Sequence, residues 1–113
     1  MIIENKRIMV IGGTGALGTA LTDRWCNNND ILVFSRNEHK QEDMKRRYPN
    51  VLYRVGDVKD KGSMLRTMYE FKPEIIVNTA AMKTVWVAQD NPYETILTNI
   101  VGHQYLIDCV REC

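Results

Sequence analysis

A glycine-rich stretch, residues 12–18 (GGTGALG), is the part of this 113-residue sequence best suited to chemistry. It lies between an apolar run and a segment of helical character, and three of its glycines are spaced G-x-x-G-x-x-G. The N–H groups of a helix N-terminus bind phosphate, and glycine admits a close approach because it has no Cβ. We interpret Gly12 as allowing a turn, Gly15 as admitting a dinucleotide pyrophosphate, and Gly18 as packing the helix against the strand. A tight turn without a ligand is the alternative.

The second candidate group stands at the end of the apolar run Asp30–Ser35. Sites that prefer NAD usually end this strand in Asp or Glu, which binds the ribose hydroxyls. Here the residues are Ser35 and Arg36, with Lys40 one turn further on. A hydroxyl, a guanidinium and an ammonium suit a 2′-phosphate, since Arg binds phosphate through a bidentate fork. The sequence therefore predicts NADP, with NAD less favoured; a solvated cationic loop is the alternative.

Two further groups follow the next apolar runs. Asp57 and Val58 would lie beside the adenine, where the carboxylate can accept a hydrogen bond from the exocyclic amine. Alternatively, Asp57 caps the helix that begins near Asp60. The small side chains of residues 78–81 would let a cofactor lie across the strand ends, although such residues also commonly fill a core.

The elements that must position these residues alternate along the chain. Apolar runs predict strands over 7–11, 30–35, 51–55 and 74–78. Amphipathic segments predict helices over 16–27, 38–48, 61–71 and 92–111, the second capped by Asn37. This alternation predicts an α/β fold of Rossmann type. We expect one domain over residues 1–113, with a parallel sheet of strand order 3-2-1-4 and helices on both faces.

Composition excludes several classes of function. Fifteen basic and 14 acidic residues give a net charge of +1, so we expect no nucleic-acid partner. No apolar run approaches the roughly 20 residues that a bilayer needs, and the N-terminus does not resemble a signal peptide. We therefore expect a cytoplasmic protein without membrane contact. Cys26, Cys109 and Cys113 have no metal-ligand spacing, which predicts reduced thiols and no metal site.

Five motifs in order carry a family resemblance: GGTGALG, SRNEHKQ, GDVKD, AAMKTV and DNPYETILTNIVG. They resemble those of the extended short-chain dehydrogenase/reductases. The match is greatest with the polysaccharide-biosynthesis group of nucleotide-sugar dehydratases and epimerases, and within it with UDP-N-acetylglucosamine 4,6-dehydratases. The resemblance covers nearly the whole chain.

The resemblance implies cofactor contacts along the chain. It assigns the pyrophosphate to Gly12, Thr14, Gly15, Ala16, Leu17 and Gly18. It assigns the 2′-phosphate to Ser35, Arg36 and Lys40, and the adenine to Asp57 and Val58. Ala80, Ala81 and Lys83 would lie near the nicotinamide ribose and the substrate pocket, and Asn99 matches a helix asparagine used beside the family's catalytic residues.

The sequence also departs from the family. The family has Thr, His, Pro and Glu where this sequence has Ile11, Thr84, Trp86 and Gln89. The catalytic Tyr-x-x-x-Lys segment and the sugar-binding C-terminal domain have no counterpart among the 113 residues. We therefore expect a Rossmann domain truncated before the catalytic half, with no catalytic residue of its own.

Three functional hypotheses follow. The preferred one is the NADP-binding part of a dehydratase or epimerase that takes a UDP-sugar when complete. The alternatives are a stand-alone NADP-binding sensor, and one chain of an enzyme completed by a partner chain. We also expect a homo-oligomer, because the apolar fourth strand and the predicted last helix would otherwise expose apolar surface.

Overall fold

The computed structural model describes residues 3–79. Its elements in chain order are β1 (Arg7–Ile11), α1 (Ala16–Trp25), β2 (Asp30–Ser35), α2 (Glu38–Arg47), β3 (Leu52–Val55), α3 (Lys61–Phe71) and β4 (Ile75–Asn78). All the helices and strands predicted within this range are present, with ends that differ by at most two residues. The helix predicted over 92–111 lies outside the described residues.

The four strands form one parallel sheet in the order β3-β2-β1-β4, as predicted. In its centre Val10 of β1 is paired with Val33 of β2 on one side and with Val77 of β4 on the other. The chain passes from β3 at one edge to β4 beyond β1, so the strand order reverses between β1 and β4. In open parallel sheets, ligands bind outside the carboxyl ends of the strands at such a reversal.

Both faces of the sheet are covered. On one face Met9, Ile11, Leu32 and Phe34 pack with Met64 and Met68 of α3. On the other, Ile8, Val10, Ile31 and Val33 pack with Met44 of α2 and the partly buried Trp25 of α1. Burial on both sides explains why the strands read as continuous apolar runs rather than as alternating ones. The prediction of helices on both faces is thus confirmed.

The helices begin in two different ways. The side chain of Asn37 accepts a hydrogen bond of 3.0 Å from the backbone N–H of Lys40, which confirms the predicted cap of α2. The side chain of Asp60 caps α3 in the same way through the N–H of Ser63, at 3.1 Å. Helix α1 begins after Gly15 without any side-chain cap. Its first N–H groups therefore remain available to another partner.

Candidate functional site

A tight glycine loop connects β1 to α1 at the carboxyl edge of the sheet. Gly12 has φ 76°, a left-handed conformation that favours glycine, so the turn predicted there is present. The N–H of Gly12 donates to the carbonyl of Phe34 at 2.8 Å, and the N–H of Gly15 donates to the carbonyl of Gly12 at 3.2 Å. These bonds fix the loop against the ends of β1 and β2.

Two glycines of this loop are required by packing inside the chain. A Cβ built on Gly18 would lie 2.4 Å from the Cα of Gly13, so α1 rests directly on the backbone of the loop. A Cβ built on Gly13 would lie 2.8 Å from Cγ1 of Val33. The sequence predicted that Gly18 packs the helix against the strand. The structure shows that it packs the helix against the loop instead. Sequence reasoning assigned no role to Gly13, because its contact with β2 depends on the tertiary fold.

Gly15 is different from its neighbours. Its φ of −73° is open to any residue, and a Cβ built on it would meet only the carbonyl oxygen of Gly12, at 3.5 Å. Nothing in the described chain therefore requires glycine at this position. The missing Cβ leaves space in front of the uncapped α1, beside the exposed Leu17. The positive end of the helix dipole and the free N–H groups of the first turn make this space suitable for an anion.

The end of β4 is tied to the start of the loop by Thr79. Its hydroxyl lies 2.8 Å from the carbonyl oxygen of Ile11 and 3.0 Å from that of Gly12, so its one hydrogen is shared between these two acceptors. Its backbone N–H also donates to the carbonyl of Ile11 at 2.8 Å. Sequence reasoning saw only the small size of residues 78–81. The hydroxyl becomes informative only once β4 is known to lie beside β1.

The tip of β2 is fixed by Gln41 of α2, which sequence reasoning did not single out. Ser35 is only 5% exposed, and its Oγ accepts a hydrogen bond of 2.8 Å from Nε2 of Gln41. The same nitrogen donates to the carbonyl of Arg54 at 2.9 Å. Gln41, equally buried, thus joins α2 to the ends of both β2 and β3.

Arg36 and Asp57 lie together at this edge. Nη1 of Arg36 is 3.9 Å from Oδ2 of Asp57, and Nζ of Lys59 is 3.7 Å from the same oxygen. The other oxygen of Asp57 accepts a hydrogen bond of 3.0 Å from the N–H of Lys59, so Asp57 closes a turn while Asp60 caps α3. The alternative in which Asp57 caps that helix is wrong, because the local turn engages its carboxylate.

The remaining predicted site residues fall into three situations. The side chain of Val58 is 6% exposed and packs in the core beside Phe34, so only its backbone is available to an adenine. Thr14 lies in the loop, Ala16 lies at the start of α1, and Lys40 lies on the exposed part of α2. Ala80, Ala81, Lys83 and Asn99 lie outside the described residues.

Two other kinds of site are absent from residues 3–79. No helix in this range is long and apolar enough to cross a membrane. Within the same residues, no group of three or more His, Cys, Asp or Glu side chains is placed to hold a metal ion.

The model of a protein family described as polysaccharide biosynthesis protein matches residues 8–113. The chain belongs to this family. It is 37% identical over 116 residues to the UDP-N-acetylglucosamine 4,6-dehydratase (inverting) of Campylobacter jejuni, covering 98% of this chain and 34% of the relative. It is 32% identical over 111 residues to the UDP-glucose 4-epimerase of Rickettsia bellii, covering 91% of this chain and 32% of that protein. The resemblance read from the five motifs is thereby confirmed.

Solved structures show the same family fold. Pen from Bacillus thuringiensis superposes with a TM-score of 0.88 at 30% identity, over 96% of this chain and 34% of its own. WbmG from Bordetella bronchiseptica, solved in complex with NAD, gives a TM-score of 0.84 at 25% identity, over 96% of this chain and 34% of its own. The chain therefore spans about a third of the length of these proteins.

Proposed function

We propose that residues 1–113 form a single dinucleotide-binding domain of a nucleotide-sugar dehydratase or epimerase. The observation that carries this proposal is Gly15, whose missing Cβ serves no contact within the described chain but opens the space before α1. That space lies at the reversal of the strand order between β1 and β4. The dehydratase and epimerase relatives, and the NAD bound by WbmG, support the same assignment.

The residues of the loop fit a pyrophosphate. The N–H groups of Ala16, Leu17 and Gly18 open α1 without a side-chain cap, so a phosphate oxygen would satisfy donors that are otherwise left to water. Thr14 and Gly12 complete the turn around it. Because Thr79 holds the carbonyls of Ile11 and Gly12, the loop keeps its shape without a ligand.

We infer that the cofactor is NADP rather than NAD. The tip of β2 presents Ser35 and Arg36 in place of the carboxylate that binds ribose hydroxyls, and Lys40 follows on the exposed part of α2. The guanidinium of Arg36 would hold the 2′-phosphate through charge-assisted hydrogen bonds. Asp57 and the backbone of Val58 would receive the adenine.

The chemistry of the whole reaction needs more than this domain. A bound nicotinamide dinucleotide supplies hydride transfer, whereas removal of a sugar hydroxyl proton needs a base. The 113 residues contain no Tyr-x-x-x-Lys sequence. We therefore propose that the chain alone does not convert a UDP-sugar. We also propose that Ala80, Ala81, Lys83 and Asn99 line the nicotinamide side of the pocket. We also propose a cytoplasmic setting, in line with the reduced thiols that the sequence predicts.

Calorimetric titration with NADPH and NADH tests the proposal, with Gly15→Ala as the decisive variant. The added methyl group fills the space before α1, so we expect binding of both nucleotides to weaken by at least about tenfold, or 1.4 kcal/mol. Gly62→Ala is the matched control, because its Cβ would also meet its nearest neighbours at 3.5 Å, on α3 away from the loop. A wild-type chain that binds neither nucleotide would contradict the proposal.

A further inference from the structure

The amide of Gln41 can be oriented in only one way in its buried position. One end of this amide lies 2.9 Å from the carbonyl oxygen of Arg54 and 3.3 Å from that of Ser35. Carbonyl oxygens only accept hydrogen bonds, so this end must be the NH₂ group, the sole donor of a glutamine side chain. Its third neighbour, Oγ of Ser35 at 2.8 Å, must therefore accept as well.

This fixed amide determines the role of the Ser35 hydroxyl. A hydroxyl group carries one hydrogen to donate and two lone pairs that accept. The NH₂ group of Gln41 donates to one lone pair of the Ser35 oxygen and cannot accept the Ser35 hydrogen. That hydrogen is therefore available to another acceptor. The carbonyl of Ser35 is engaged separately, because it accepts from the N–H of Gly56 at 2.9 Å. Ser35 is thus set as a donor at the tip of β2.

The charges nearby favour an anionic acceptor for that donor. Arg36 follows directly, with a side chain that is 57% exposed, and Lys40 lies on the exposed part of α2. Asp57 pairs with both Arg36 and Lys59, so its negative charge is already shared between two cations. A phosphate oxygen is an acceptor and an anion, whereas a ribose hydroxyl is neutral and can also donate.

We propose that Gln41 is a positioning residue that makes Ser35 a hydrogen-bond donor toward the 2′-phosphate of the dinucleotide, and so raises selectivity for NADPH over NADH. This inference rests on the proposed function of the chain. Gln41 does not touch the nucleotide itself. It lies on α2, one turn of helix after the cap residue Asn37, and acts through the orientation of the Ser35 hydroxyl.

The test is a double-mutant cycle read as the ratio of the dissociation constants for NADH and NADPH. We expect Gln41→Met, which keeps the length of the side chain but loses the donor, to lower this ratio by about tenfold, in the range of a lost hydrogen bond to a charged group. Ser35→Ala should lower it by a similar factor. In the Ser35→Ala background, Gln41→Met should change the ratio no further, because the group through which it acts is already absent.

The ratio separates positioning from a general loss of stability. Gln41 also links α2 to β3, so its replacement lowers the melting temperature, but a merely structural role would weaken both nucleotides together. Gln41→Glu provides a second variant of nearly the same shape. Its carboxylate accepts the Ser35 hydrogen and adds negative charge, so the ratio should fall below that of Gln41→Met.

The outcomes for the two proposals are distinct. A wild-type chain that binds neither nucleotide, or binds both equally, overturns the proposed NADP function and this inference with it. A selective wild-type chain whose ratio is unchanged in Gln41→Met and Gln41→Glu overturns the inference alone. Fully additive losses in the double variant would show that Gln41 does not act through Ser35, and would also overturn it.

Discussion

Nη1 of Arg36 lies 3.9 Å from Oδ2 of Asp57, an ion pair that joins the end of β2 to the turn after β3. The two residues were predicted to serve different parts of a nucleotide, the 2′-phosphate and the adenine. Their pairing means that the acidic group holds the basic one at the carboxyl edge of the sheet. Since the pair is partly exposed, its contribution to stability is small, of the order of 0–1 kcal/mol. Its importance lies in placing the guanidinium.

Arg36→Ala should weaken NADPH binding by about 1.5–3 kcal/mol, the range for a hydrogen bond to a charged group. Binding of NADH should change much less, because it lacks the 2′-phosphate. Calorimetry on both nucleotides measures this difference. Arg46→Ala is the control, since it removes the same charge from an exposed position in the last turn of α2. Equal losses for both nucleotides would argue against a 2′-phosphate contact.

Thr79→Val should weaken nucleotide binding and lower stability, because the carbonyls of Ile11 and Gly12 lose the hydroxyl that holds them. We expect about 1 kcal/mol of unfolding free energy, as for a typical hydrogen bond. Thr67→Val is the matched control. It removes a hydroxyl that donates to the Ser63 carbonyl at 2.9 Å inside α3, so stability should fall without any change in affinity. Denaturant unfolding and calorimetry separate the two effects, and unchanged affinity in Thr79→Val would contradict the role given to Thr79.

The alkaline stability of the domain should depend on Tyr53. Burial is the largest cause that raises the pKa of its phenol, from an ordinary value of 10.0 to about 12. Between about pH 10 and 12 the unfolded chain therefore loses this proton before the folded chain does, and stability falls as the pH rises. In Tyr53→Phe the fall should be shallower, as measured by melting temperatures from pH 9 to 12.

Tyr69→Phe serves as the control for that experiment, because the ring of Tyr69 is exposed on α3. Tyr53→Phe also loses the hydrogen bond that Tyr53 donates to the Tyr48 carbonyl at 3.1 Å, so its stability near neutral pH should be lower. The test therefore compares how steeply the melting temperature falls with pH, not the melting temperature at any one pH. Parallel slopes in wild type and Tyr53→Phe would show that the phenol does not contribute.

Incubation of the purified chain with NADP and UDP-N-acetylglucosamine should yield no 4-keto sugar. The expected reason is the absence of a base to remove the hydroxyl proton. The Campylobacter jejuni dehydratase, assayed in parallel, is the positive control. Detection of product would refute the prediction, and Lys83→Ala and Tyr105→Phe would then identify which side chain acts as the base.

Self-association should be detectable at micromolar concentration. β4 stands at one edge of the described sheet, and its residues Ile75–Asn78 are only partly buried. Apolar edge strands without charged residues pair readily with a second chain. Light scattering coupled to size exclusion should therefore give a mass above the 13.1 kDa of one chain. A single species at that mass would disprove association.

Local patterns predicted the elements and the glycine loop, because hydrophobic periodicity and cap residues are short-range signals. The cap at Asn37 is an example, since the interaction spans three residues. Gln41 and Thr79 were not predicted as parts of the site. Their partners, Arg54 and Gly12, become neighbours only through the sheet order and the choice of rotamer. Asp57 was placed correctly at the strand end, but its engagement in a turn could not be distinguished from a helix cap.

The seating of α1 on the loop has a thermodynamic consequence. Because the backbone at Gly18 rests on that of Gly13 with no side chain between them, the loop and the first turn of the helix behave as one rigid piece. A ligand arriving there finds its donors already in place, so little conformational entropy is lost when it binds. The hydrogen-bonded amides of Gly12 and Gly15 should accordingly be protected from hydrogen exchange even without nucleotide, whereas the uncapped amides that open α1 should slow mainly when nucleotide is added.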